Sequence, residues 1–243
     1  MMDDLRRALD DRAAAGRPAV FWLRDDDAVA STAALDRLLG VMAGVPLTLA
    51  VIPQGTGAPL ADRLADAPGV TVALHGWAHA NHAPEGEKKQ ELGRHRPVSR
   101  VLAELALGRD RLAAFYGARF ARVLVPPWNR IDGAVVAGLQ GIGIAALSVF
   151  GPAQAAALPV VNTHVDIIDW HGSGGGWPVE RLTQAMLHAI GRDDPLGILT
   201  HHLVHDAQAW MFLEGLIALT ADHPGCRWAA LPDLIVARPA LMA

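Results

Sequence analysis

Ala19-Val20-Phe21-Trp22-Leu23-Arg24-Asp25-Asp26-Asp27-Ala28 is the stretch on which the reading of the chain turns. A short apolar run, 19–23, is followed at once by an arginine and three consecutive carboxylates. Five apolar residues are enough for a buried strand and too few for a helix. Three adjacent acids repel one another, and the cost rises near a buried site unless a cation offsets it. A solvated loop or a helix N-terminus would also tolerate such a triplet. Arg24, at the strand end, favours a structured site.

The same arrangement of apolar run and polar end recurs along the chain. Further strand-like runs lie at 47–52, 70–74, 123–125, 142–149, 160–168, 197–200 and 227–231. Between them the spacing of apolar residues predicts helices over 31–44, 59–67, 98–116, 132–140, 178–190 and 206–221. Ser31 and Asp132 stand where N-caps belong, and Gly44 and Gly191 follow helical stretches as C-caps. Seven or eight strand–helix units in this length predict a distorted seven- or eight-stranded (β/α) barrel of the TIM type, with an open doubly wound sheet as the alternative. A length of 243 residues with 51% hydrophobic residues suits one barrel domain over 1–243. Two segments break the rhythm. Residues 81–97 are polar and charged and lie next to a histidine motif, as a lid would, while 171–177 contain four glycines and read as a mobile loop.

In a barrel the C-terminal ends of all strands meet on one face, so the polar residues that follow the strands would converge there. They are Asp25, Asp26 and Asp27 after the first run, His75 and His79 after the third, and Pro126-Pro127-Trp128 after the fourth. Asp166 and Asp169-Trp170 end the sixth, and His201-His202 the seventh. His75-Gly76-Trp77-Ala78-His79 spaces its histidines four apart, which on a helical turn aims both rings one way. With a carboxylate they make a His₂–carboxylate set that suits Zn²⁺, and also Co²⁺, Fe²⁺ or Mn²⁺. His82 is a further candidate off that face. His201 is placed to move a proton near neutral pH, and Asp169 is a carboxylate of the kind that orients an imidazole. Trp128, with Asn129 beside it, and Trp170 are candidates to line a substrate pocket.

The order Asp-Asp, His-x-x-x-His, Pro-Pro-Trp, Asp-x-x-Asp-Trp, Leu-x-His across 24–202 resembles the five motifs of the NodB-homology polysaccharide deacetylases, carbohydrate esterase family four. The resemblance implies a divalent-metal hydrolase that removes an N- or O-linked acetyl group from a saccharide or saccharide-like substrate. It implies Asp27, His75 and His79 as metal ligands, Asp26 or Asp25 as general base, and His201, oriented by Asp169, as general acid. Trp170 and Leu199 would line the pocket for the acetyl methyl. Two positions depart from the pattern: Gly76 replaces a hydroxyl residue, and Val125 stands where an arginine tunes the base, with Arg24 and Arg130 as candidate substitutes. Relatives that hydrolyse cyclic amides or ureides, and a catalytically silent sugar-binding barrel, are the alternatives.

The remaining features narrow the partners. A net charge of −4 with no dense basic run disfavours nucleic acid. One cysteine, Cys226, excludes an intrachain disulfide and a thiolate zinc cage. No 18-residue apolar stretch and no signal-like apolar core near the N-terminus appear, so no membrane partner and a cytoplasmic location are expected. The expected partner is a small molecule or an oligosaccharide.

Overall fold

The computed structural model describes residues 2–154, 156–192 and 194–236. Among the described residues eight strands and eight α-helices alternate except that β6 follows β5 with no helix between, and each pairing with a defined register is parallel. This is the strand–helix order expected of a (β/α) barrel. The chain falls into two compact units.

The first unit holds α1 (Asp3–Ala14), β1 (Ala19–Ala28) as far as Asp26, α2 (Ala33–Val41), β6 (Val165–Asp166), α6 (Val179–Ile190), β7 (Leu196–Thr200), α7 (Ala207–Thr220) and β8 (Cys226–Trp228). Its strands run in the order β6, β7, β1, β8, with Asp25 opposite Thr200 and Asp166 opposite Leu199. Phe21, Leu23, Ile198, Phe212 and Leu216 are fully or almost fully buried and form its core. α1, absent from the sequence expectation, is anchored by Leu5 and Leu9, which are buried four residues apart on one face.

The second unit holds the end of β1 from Asp27, β2 (Leu47–Val51) from Thr48, α3 (Ala58–Ala65), β3 (Val70–His75), α4 (Val98–Tyr116), β4 (Phe120–Val125), α5 (Gly133–Gly138), β5 (Ala146–Leu147) and α8 (Leu231–Val236). Its strands run β2, β3, β4, β5, with His75 opposite Val125. α4 occupies the predicted span, and Val101, Leu105 and Leu112 turn its apolar face inward.

Several boundaries differ from expectation for identifiable reasons. β1 does not stop before the acids but runs through all three, because Asp25 and Asp26 find buried partners described below. The run 142–149 shrinks to a two-residue strand, since residues 140–142 form a 3-10 turn closed by Gly143 at φ +75°. Thr32 rather than Ser31 caps α2, accepting from Leu35 N, while Asp132 caps α5 as expected. The glycine-rich segment 171–177 is tied down rather than loose. Gly176 N donates to Asp206 Oδ1 at 3.1 Å, Trp177 N to Ile167 O at 2.9 Å, and Asp169 N to Gly175 O at 2.7 Å. A Cβ on Gly176 would meet the backbone nitrogen of Ala209 at 2.5 Å, so the glycine is there to admit helix α7. Among the described residues no helix is long and apolar enough to cross a membrane.

Candidate metal and catalytic site

The second unit gathers Asp27, His75 and His79, whose ligand atoms all lie within 4.8 Å of one another. Asp27 Oδ1 is 3.0 Å from His75 Nε2 and 3.4 Å from His79 Nε2. His75 is buried at the end of β3, and its Nδ1 lies 2.9 Å from the carbonyl of Val125. A carbonyl can only accept, so Nδ1 carries a proton and Nε2 is the nitrogen turned toward Asp27. At 3.0 Å from Asp27 Oδ1, Nε2 is placed either to donate a proton to the carboxylate or to share a cation with it. The donor set therefore fits a divalent cation with open positions, as two imidazoles and one carboxylate do in catalytic zinc sites.

The histidines do not sit on a helical turn. Gly76 has φ +58° and His79 φ +53°, so the backbone reverses between them and brings the ring centroids to 5.1 Å. Four non-glycine residues among those described have positive φ: Asp27 (+70°), His79 (+53°), Trp128 (+55°) and Asn129 (+56°). All four are candidate site residues, and such conformations persist where the surroundings over-determine them. Trp128 packs its ring 4.3 Å from that of His79. His82 lies outside the triad, its backbone N donating to Gln90 O.

The first unit holds the other candidates. Arg24, fully buried, clasps Asp26 in a two-point ion pair, Nε to Oδ1 at 2.8 Å and Nη2 to Oδ2 at 3.0 Å. Of the two arginines offered for the part missing at Val125, Arg24 meets a carboxylate of the triplet, whereas Arg130 donates to Lys89 O. Asp25 is committed elsewhere. Its Oδ2 accepts from Thr200 Oγ1 at 2.7 Å and His202 N at 2.8 Å, and its Oδ1 contacts His202 Nδ1 at 2.5 Å. Burial pushes its carboxyl up, but the His202 hydrogen bond and charge outweigh that and hold it below the ordinary value.

His201 follows β7 with the ring of half-exposed Trp170 edge-on at 4.7 Å. No hydrogen bond joins it to Asp169: His201 Nδ1 and Asp169 Oδ1 are both buried without a partner, and Asp169 Oδ2 accepts from Ser173 N at 3.3 Å. The turn 169–175 draws Asp169 to its own backbone. Asp166, by contrast, accepts from Ile168 N and from Trp170 Nε1 at 2.9 Å. Burial pushes its carboxyl up, partly countered by the charge of His201. Leu199 is buried between Arg24 and Asp166 in the strand register. His205, missed in the sequence, lies against Trp210 with ring centroids 4.5 Å apart.

No family model matches the sequence, and none of the curated proteins does either. Solved structures do match. A family 4 carbohydrate esterase from Streptomyces lividans in complex with acetate is 16% identical, with a TM-score of 0.58 over 87% of this chain and 91% of that one. A family 4 acetyl xylan esterase from Clostridium thermocellum in complex with a cobalt ion is 16% identical, with a TM-score of 0.60 over 90% and 91%. A family 4 pseudoenzyme from Bacillus anthracis is 15% identical, with a TM-score of 0.62 over 89% and 65%. At these identities the likeness carries the fold. It selects the distorted (β/α) barrel over an open doubly wound sheet.

Proposed function

We propose that the chain is a divalent-metal-dependent deacetylase that removes an N- or O-linked acetyl group from a saccharide or saccharide-like substrate. The triad Asp27–His75–His79 carries this reading, because its three ligand atoms lie within reach of one ion and Val125 O turns His75 Nε2 toward Asp27. The similar carbohydrate esterase in complex with acetate and the similar acetyl xylan esterase in complex with a cobalt ion support it.

Asp27, His75 and His79 would hold the ion, with zinc as the native choice and cobalt, iron or manganese compatible with the same donors. Bound there, a divalent ion polarises a carbonyl and lowers the pKa of water. Asp26 stands one residue before the ligand Asp27 and serves as the general base. Arg24 donates to both its oxygens, so the carboxylate is held in one orientation. Asp25 is set aside as base, since three hydrogen bonds from Thr200 and His202 commit it to the end of β7. His201 gives a proton to the departing amine or alcohol, and Trp170, against its edge, together with Leu199 walls the acetyl methyl. Trp128 and Asn129 contact the remainder of the substrate.

The test pairs elemental analysis with acetate release from acetylated mono- and oligosaccharides. The expected result is about one metal per chain in the parent and none in His75→Ala/His79→Ala. Acetate release should be lost on chelation and restored by zinc or cobalt, and Asp26→Asn should slow it by roughly 10²-fold or more. A parent that binds no ion after soaking, or activity that survives loss of the ion, would overturn the reading.

A further inference from the structure

The loop between the two histidine ligands has no hydroxyl side chain to hold it, since Gly76 occupies the position after His75. Its closure comes from elsewhere. Glu91, within the polar segment 81–97, is 1% exposed. Its Oε1 accepts from Ala78 N at 2.8 Å, and Trp77 N lies 3.3 Å from each of its oxygens. A Cβ on residue 76 would stand 2.0 Å from Glu91 Oε2 and 2.6 Å from Pro127 Cγ, so the absence of a side chain at 76 is what lets the carboxylate in. Glu91 is itself fixed. Its carbonyl accepts from Arg96 Nη2 at 3.1 Å, Arg96 pairs with Glu104, and the adjoining Leu92 bridges to Ile131 and accepts from Asp132 N.

We infer that Glu91 is a positioning residue for the metal: its carboxylate pins Trp77 and Ala78 so that His75 and His79 present their Nε2 atoms together. This rests on the triad holding a metal, as proposed above. The segment 81–97 is then the inner support of the ligand loop. A carboxylate is suited to the place because it accepts from two adjacent N–H groups at once. A glutamine would keep an oxygen for Ala78 N but turn an N–H₂ toward its neighbours.

The experiment is a zinc titration against a chromophoric chelator for the parent, Glu91→Gln and Glu91→Ala, each also melted in the metal-free form. Glu91→Ala is expected to weaken zinc binding by roughly 10- to 100-fold, the range for removing an outer partner of a metal ligand, and Glu91→Gln by less. A residue that only supports the fold would lower the metal-free melting temperature and leave the Kd of the folded protein unchanged. Parent binding with a Kd for Glu91→Ala within twofold overturns the role of Glu91 and leaves the metal reading standing. If Glu91→Ala does not fold, Glu91→Gln decides: a change of threefold or more supports the role, and a smaller one overturns it. A parent that binds no zinc overturns the metal reading itself, and the inference with it.

Discussion

Replacing Arg24 by methionine removes a guanidinium that is 0% exposed and leaves Asp26, 4% exposed, with its two short contacts gone. Methionine fills most of the volume, so the change is chiefly electrostatic. Breaking one side of a buried ion pair leaves an uncompensated charge and costs about 3–5 kcal/mol. For a chain of this size each kcal/mol moves the melting temperature by about 2–4 °C, so Arg24→Met should melt roughly 10 °C below the parent. Asp26→Asn should also destabilise, because it removes the carboxylate that takes both short contacts from Arg24. The double variant removes both charges, and its loss should fall short of the sum of the singles by about 2 kcal/mol or more. Urea unfolding followed by the fluorescence of the seven tryptophans gives all four corners of this cycle. Arg24→Met within 1 kcal/mol of the parent, or singles that simply add, would refute the reasoning that Arg24 holds Asp26, the proposed base. Activity supplies a second readout. Both variants lacking Asp26 should show the same residual rate if Arg24 acts on turnover through Asp26.

Burial lowers His205 from 6.5 to about 4, so the folded state resists its proton. Since the unfolded chain binds that proton first, stability is full above pH 6.5 and falls as the pH drops toward 4, by on the order of 2–3 kcal/mol. His205→Phe, which keeps a ring against Trp210, should flatten that slope in thermal melts across pH 4–7; an unchanged slope would locate the acid sensitivity elsewhere. Gly176→Ala drives a methyl group into the backbone of α7 and should cost about 1–3 kcal/mol, whereas Gly141→Ala, with open space around it, should leave the melting temperature within about 2 °C. Asp25→Asn should destabilise through its contacts with His202 and Thr200 while leaving zinc stoichiometry at the parent value, which elemental analysis checks.

The alternation of apolar runs and amphipathic segments made the strand–helix order legible, because buried parallel strands and one-faced helices leave different periods in sequence. The triad members were legible as residue types at strand ends. Their means of convergence was not: four-residue spacing suggests a helical turn, whereas the actual path depends on positive φ at Gly76 and His79, which glycine hints at and histidine conceals. The three acids looked like one repelling cluster. In the structure each has its own partner, Asp25 with His202, Asp26 with Arg24 and Asp27 with the histidines, and these pairings span up to 177 residues. Glu91 was hidden for a related reason. A polar segment gives no periodic signal, and nothing in its composition tells which acid turns inward.

The four left-handed residues Asp27, His79, Trp128 and Asn129 have a consequence for how the molecule would respond to breeding for robustness. Each sits where glycine is the conformationally cheaper occupant, by about 1–2 kcal/mol. In a library sorted for heat resistance alone, these positions should drift toward glycine, and on the proposed function the hardier proteins would lose activity. Sorting the same library for turnover should hold the four unchanged. The divergence between the two outcomes would mark, residue by residue, where usefulness rather than durability has chosen the side chain.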